Sequence, residues 1–247
     1  MTTELPMPVN RAKTFSASNA ARFMACPASA NLEAAIPGYQ APVVDPMKGA
    51  KGRGTSMHEV LETTVRDFNA AEMLGIAHAL MYVAEIRARR RFNVLVEESA
   101  TATWLPSQPN TTVDLVLYVQ DEIHIVDYKM GRIPVEVIGN KQLMFYALCY
   151  AYLAPKAPGV VVHIVQPLIG NMESHFVGTH ELAEFMADAV KADEAILSGD
   201  TTFGPSDNCT FCPANPHSRG EKGSAMCPAM MKLLYPPKWD EQEILDL

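Results

Sequence analysis

The chain has 247 residues and a mass of 27.0 kDa, 48% of them hydrophobic, enough to bury a core in one large domain or two small ones and too apolar for wholesale disorder. Lys plus Arg number 20 against 28 Asp plus Glu, a net charge of −8, which excludes a protein coated in basic charge but not a local basic groove. The longest apolar run, Leu143 to Ala154, falls short of the roughly 20 residues that cross a bilayer, and the opening MTTELPMPVNRAK has no apolar signal region, so a cytoplasmic protein without a membrane partner is expected.

Residues 1–14 read as a flexible arm. Ser16 or Ser18 stands where it would cap a short helix from Ala20 to Ala30, with Phe23 inward and Cys26-Pro27 near the end. Residues 36–54 contain three Pro and four Gly and form a loop. A helix follows, with capping-box spacing between Ser56 and Glu59 and with His58, Leu61, Glu62, Val65 and Phe68 on or near one face. A second helix runs from about Ala70 to Arg90. There the hydrophobic period changes to two: Asn93–Trp104, Thr111–Val119 and Ile123–Lys129 read as strands joined by tight turns. Lys141–Leu153 is helical, Gly159–Leu168 is a β-branched strand, and a short strand near Ser174–Gly178 precedes an acidic helix near Glu181–Leu197. Tight turns imply an antiparallel meander, and the helix before the last long strand permits one parallel crossover. The expected fold is α/β, a small mixed sheet flanked by helices. The expected organisation is a core over 15–200 and a Cys-rich segment with an acidic tail over 201–247. Rossmann and P-loop readings fail, because no glycine fingerprint follows a strand.

The segment IHIVDYKMG carries the most chemistry. Side chains alternate along a strand, so Asp127 and Lys129 emerge on one face, about 6.6 Å apart. A solvated ion pair at a strand end would produce the same pattern. Asp114, however, lies among apolar residues in the neighbouring strand TTVDLVLY, and aligning the two strands about Gln120–Glu122 places it across from the Asp127 region. Two carboxylates close together in a half-buried site need a cation, which they could share. His58 offers a third ligand through an imidazole nitrogen, although a lone histidine is more often a satisfied half-buried one. Gln142 and Tyr146, four apart, are neighbours on one helix face.

Taken in order, GRGTSMHEVLE, TTVDLVLY, IHIVDYKMG and KQLMFYALCYA resemble the PD-(D/E)xK nuclease superfamily, and specifically its RecB-like branch. Its hallmarks fall here on Gly54, His58 and Glu62, then Asp114, then Asp127 and Lys129, then Gln142 and Tyr146. The resemblance covers roughly residues 15–230 and implies a restriction-endonuclease-like core and a metal-dependent deoxyribonuclease, an exonuclease in recombination, repair or phage DNA processing. It implies that His58, Asp114, Asp127 and the backbone carbonyl of Tyr128 bind Mg²⁺ or Mn²⁺, the imidazole favouring manganese. Lys129 would orient the attacking water and stabilise the transition state, with Glu62 in support. It places Gln142 and Tyr146 against the DNA strand. It further implies a bacterial cytoplasm, or that of a phage-infected host, and a possible recombination or replication protein as partner.

Five cysteines in a chain without a secretory signal do not suggest disulfides, and three of them, Cys209, Cys212 and Cys227, crowd into a Pro-rich stretch. That spacing reads as metal ligation and needs a fourth ligand. His217 would complete a local zinc knuckle, whereas Cys26 would close the site from the other end of the chain. The second arrangement is similar to that of the iron–sulfur RecB-like nucleases of the AddB type and the CRISPR-associated adaptation exonucleases, which implies a 4Fe–4S cluster, with Zn²⁺ as the alternative. Fourteen residues separate Cys212 from Cys227, more than that cluster type leads one to expect. Cys149, inside an apolar helix, reads as a small core residue.

Lys48, Lys51 and Arg53 precede the His58 helix, and Arg87, Arg89, Arg90 and Arg91 form a second basic run. Such runs are usually solvated faces; beside a nuclease site, Lys51 and Arg53 would contact the DNA backbone. Two readings from other classes remain at this point: a DNA-binding or assembly module that keeps the fold without catalysis, and an iron–sulfur or zinc regulatory protein.

Overall fold

Among the described residues, the period-two segments assemble into one sheet of five strands. The structure, a computed structural model, describes residues 15–36, 70–88, 92–119, 122–151, 156–215 and 227–230. Strands β1 (Phe92–Thr101), β2 (Asn110–Val119), β3 (Glu122–Tyr128), β4 (Gly159–Gln166) and β5 (Asn171–Gly178) lie side by side in chain order. The pairs β1–β2, β2–β3 and β4–β5 are antiparallel, and β3–β4 is parallel. The chain makes that parallel step through a helix, as a parallel connection requires. The mixed α/β architecture is thus the one the turn spacing predicts. The last strand is longer than its sequence suggests, because it pairs along all of β4, from Gly159 opposite Gly178 to Gln166 opposite Asn171.

The described helices are α1 (Ala20–Ala25), α2 (Ala28–Ala35), α3 (Ala70–Arg87), α4 (Lys141–Tyr150) and α5 (Thr179–Leu197). In place of one helix over 20–30 there are two. Proline disfavours the helical conformation in the residue before it, and Cys26 accordingly sits at φ −148°, ψ 83° in a joint between α1 and α2. Helix α4 starts where Asn140 caps it, its side-chain oxygen accepting from the backbone N–H groups of Gln142 and Leu143 at 3.1 and 3.2 Å. None of the described helices is long and apolar enough to cross a membrane.

By their contacts, the described residues form two compact units. One takes in those within Met1–Gln40, Leu105–Ser107 and Asp188–Leu247; the other, those within Ala41–Trp104 and Gln108–Ala187. The N-terminal helices therefore group with the cysteine-rich segment, and the sheet belongs to the second unit with α3 and α4.

Alternation gives the sheet two faces. Leu115, Leu117, Val126, Tyr128 and Val165 pack with Ala79, Val83 and Ile86 of α3 on one of them. Helix α4 serves the other, with Leu143 and Phe145 fully buried and Trp104 against Phe145 at 5.1 Å between ring centroids. Helix α3 approaches β4 at Gly75, where a Cβ would stand 2.3 Å from the carbonyl oxygen of Pro167.

Alanine in place of a mid-helix glycine ordinarily stabilises by about 1 kcal/mol. At Gly75 the sign is expected to reverse, because the backbone of Pro167 cannot yield without moving the turn. Gly75→Ala is expected to cost about 1–3 kcal/mol, as overpacking does, read as a lower melting temperature. A variant that melts higher than the parent would show that α3 and the Pro167 turn are not in contact in solution.

Candidate functional site

The register of β2 on β3 gathers the polar residues. Leu115 pairs with Val126 and Val116 with Ile125, so one further step places Asp114 opposite Asp127. Directly opposed antiparallel residues share a face, their Cβ atoms about 4.5–5.5 Å apart. Asp127 is buried and Asp114 half-buried. Asp114 Oδ2 accepts the backbone N–H of Tyr128 at 2.7 Å, which holds the carboxylate against the end of β3. Lys129 follows the strand on the same side, its Nζ 2.9 Å from Asp127 Oδ2.

A chain of hydrogen bonds extends from there onto α4. Lys129 Nζ donates to Gln142 Oε1 at 2.7 Å, and Gln142 Nε2 donates to the Tyr146 hydroxyl at 2.7 Å. The helical spacing of Gln142 and Tyr146 makes the second bond possible. Burial pushes the Tyr146 phenol far above its ordinary value, and the charges of Asp127 and Asp114 add to the rise, while hydrogen bonds to Gln142 and Thr111 oppose it. Tyr146 is therefore a neutral donor at any physiological pH. Thr111, near the start of β2, was not singled out by sequence, and its spacing from Asp114 in the strand gives no signal for it.

Asp114, Asp127 and Lys129 bring two carboxylates and one ammonium together in a half-buried place, where charge needs partners. That donor chemistry suits a hard divalent cation, with oxygens from Asp114, Asp127 and the Tyr128 carbonyl. His58, Glu62, Lys51 and Arg53 lie outside the described residues, as do Lys48 and Arg89–Arg91. Among the described residues, no group of three or more His, Cys, Asp or Glu side chains stands as a set that would hold a metal ion.

The other unit holds a second cluster. Cys26, Cys209, Cys212 and Cys227 line one pocket, together with Arg22 and Asn215 among others. Cys26 comes from the α1–α2 joint, and Cys209 and Cys212 from the turn Asp207–Phe211 and its end, which Ser206 caps. The backbone N–H of Ser206 donates to Cys209 Sγ at 3.4 Å and Arg22 Nη1 to Cys212 Sγ at 3.8 Å. Burial raises the Cys212 thiol, and the guanidinium of Arg22 opposes that rise. Among the described residues, the apolar cluster around the sulfurs is Leu32 and Ala214 with the flanking Phe203, Ala229 and Met230. Four cysteines lining one space have the donor chemistry of a thiolate-bound centre, although their side chains, like the others described, do not stand as a set around a single ion. His217 lies outside the described residues.

A third polar group, on the α3 face, escaped sequence reading. His124 Nδ1 lies 3.0 Å from His163 Nε2, the rings stacked, and the Tyr82 hydroxyl is 2.9 Å from His163 Nδ1. A hydrogen bond between the rings requires one of the two nitrogens to be unprotonated. The pair packs between sheet and helix, away from the carboxylates.

Comparison with known proteins finds a family model and similar solved structures. A family model described as "Protein of unknown function (DUF2800)" matches residues 76–247, well over half of the chain. That span includes the Asp114–Tyr146 residues and three of the four pocket cysteines. Among solved structures, one titled "Crystal structure of SSO0001" is similar over 85% of this chain and 85% of that one, at 12% identity and a TM-score of 0.39.

Cys149, on α4, is pushed up to about 11 by burial. The folded state thus keeps a proton that the unfolded chain releases near its ordinary value. The stabilisation is complete below about pH 9 and is lost as pH rises through about 11, at most about 2–3 kcal/mol. Urea midpoints of the parent are expected to fall over that window, and those of Cys149→Ala to fall less. Parallel curves would count against a buried, protonated Cys149.

Proposed function

The chain belongs to the DUF2800 family, and for it we propose a metal-dependent deoxyribonuclease of the RecB-like, PD-(D/E)xK kind, acting as an exonuclease. The observation that supports this most is the placement of Asp114 opposite Asp127, with the Lys129 ammonium 2.9 Å from Asp127 Oδ2. Asp114, Asp127 and the Tyr128 carbonyl would hold Mg²⁺ or Mn²⁺, with His58 as a further ligand. A cation bound there lowers the pKa of a water and neutralises charge on the scissile phosphate. Lys129 stands beside the acids with its ammonium already oriented by Gln142, as electrostatic stabilisation of a developing negative charge requires. Gln142 and Tyr146 supply amide and phenol groups that position a strand without reading its bases. Lys51 and Arg53 would add backbone contacts whose strength falls with salt.

The four-cysteine pocket is read as a structural centre. Cys26 lines the same space as Cys209, Cys212 and Cys227, which supports the four-thiolate arrangement over a local knuckle closed by His217. A 4Fe–4S cluster is the proposed occupant, with Zn²⁺ as the alternative. The proposed setting is a bacterial or phage-infected cytoplasm, with a recombination or replication protein as partner.

The test is cleavage of end-labelled linear and circular DNA with Mg²⁺ or Mn²⁺ in turn. Linear DNA is expected to be degraded from its ends and circles spared. Asp127→Ala and Lys129→Ala are each expected to lower the rate at least 100-fold while binding persists. DNA binding without cleavage in the parent, under every ion, would favour a non-catalytic module of this fold.

A further inference from the structure

We propose that Arg22 is a positioning residue for the four-cysteine centre, a fixed cation that favours the metal-bound state and tunes its charge. This rests on the reading of that pocket as a thiolate-bound metal site. Arg22 is only 6% exposed, on a helix of six residues, with a small apolar cluster around the cysteines. A buried guanidinium is costly unless paired. Glu33, 4% exposed, pairs it through Nη2 at 2.5 Å, and Asn19 Oδ1 accepts from the same nitrogen at 3.0 Å.

Those partners occupy Nη2. Nη1 is turned the other way, toward Cys212 Sγ at 3.8 Å, while the guanidinium carbon lies 4.6 Å from the centre of the Phe23 ring, which fixes its plane. An Arg–Glu pair alone gains nothing over an apolar pair of the same shape; what the arginine adds is a donor and a charge at the sulfur. A neutral thiol accepts such a bond weakly, whereas a metal-bound thiolate is an anion and accepts it strongly. Four thiolates outweigh the charge of either zinc or an iron–sulfur core, so the loaded centre is net negative and the guanidinium stabilises it selectively. The backbone N–H of Ser206 does the same for Cys209 without a charge. Hydrogen bonds and charges at the sulfurs are the levers by which a protein sets affinity and reduction potential.

The experiment uses the full chain in three forms: parent, Arg22→Lys, and Arg22→Met combined with Glu33→Gln, which removes both buried charges together. Each is titrated with Zn²⁺ against a competing chelator and, separately, loaded anaerobically with iron and sulfide for a redox titration. Removing the charge pair is expected to weaken zinc about 10–100-fold and to move the iron–sulfur potential to more negative values, because the reduced centre carries the extra negative charge. Arg22→Lys is expected to retain most of the potential and part of the affinity. Unchanged affinity and potential in the double variant overturn the role of Arg22 while leaving the metal centre intact. Should the double variant not fold, Arg22→Gln decides in its place, since affinity and potential both equal to the parent's would show that the charge contributes nothing and overturn the proposal. A parent chain that takes up neither zinc nor iron overturns the metal-centre reading and this inference with it.

Discussion

Everything chemical in the sheet-bearing unit depends on the pairing of β2 with β3. A strand has a side-chain period of two, so a slip of one residue would turn Asp114 to the α3 face and leave Asp127 without a partner acid. The register is held by packing: Leu115 and Val126 meet on the α3 face, where Leu117 and Tyr128 join the same cluster. The hydrophobic face and the polar face are thus one constraint seen from two sides. The hydrogen bond from the Tyr128 N–H to Asp114 then closes the end of the pair, where the regular ladder has stopped.

Much of this was legible in the sequence because it rests on short-range rules. Alternation located β1 to β3, the tight turns made them antiparallel, and the helix at Lys141 forced a parallel return. Asp114, Asp127, Lys129, Gln142 and Tyr146 come together as their spacing in strand and helix dictates. The break at Cys26 was less visible, because alanine-rich flanks suggest one helix, and the steric effect of Pro27 on its predecessor wins. Arg22, Glu33, His124 and His163 were not legible. Their partners are distant in sequence or face across strands, and neither periodicity nor composition records which buried polar groups meet.

The two units solve the stability problem differently. The sheet unit buries both faces of β3 and β4. Among its described residues the cysteine unit buries Phe15, Phe23, Leu105 and Ile196 fully, beside polar groups such as Asn31, which donates to the Ile196 carbonyl at 3.2 Å. Its turn around Cys209 and Cys212 is secured by a Ser206 cap and by Asn215, whose side chain donates to the Cys209 carbonyl at 2.8 Å. A segment held by hydrogen bonds of this modest strength gains most from bonds to a shared ion, and that fits sulfurs drawn from both ends of the unit's sequence.

The direction of the hydrogen bonds from Lys129 to Tyr146 carries one more consequence. An ammonium only donates, so it fixes the carbonyl end of the Gln142 amide toward Lys129 and the NH₂ end toward Tyr146. The Tyr146 oxygen is then an acceptor from Gln142, and its own proton must point elsewhere. The phenol, kept neutral by burial and by the two acids, shares a second hydrogen bond with Thr111. Replacing Gln142 with an acid would reverse the pattern, since a carboxylate accepts from both neighbours and would compete with Asp127 for the ammonium. The amide is therefore the residue type that passes orientation from the lysine to the tyrosine without adding charge to a site that already holds two carboxylates.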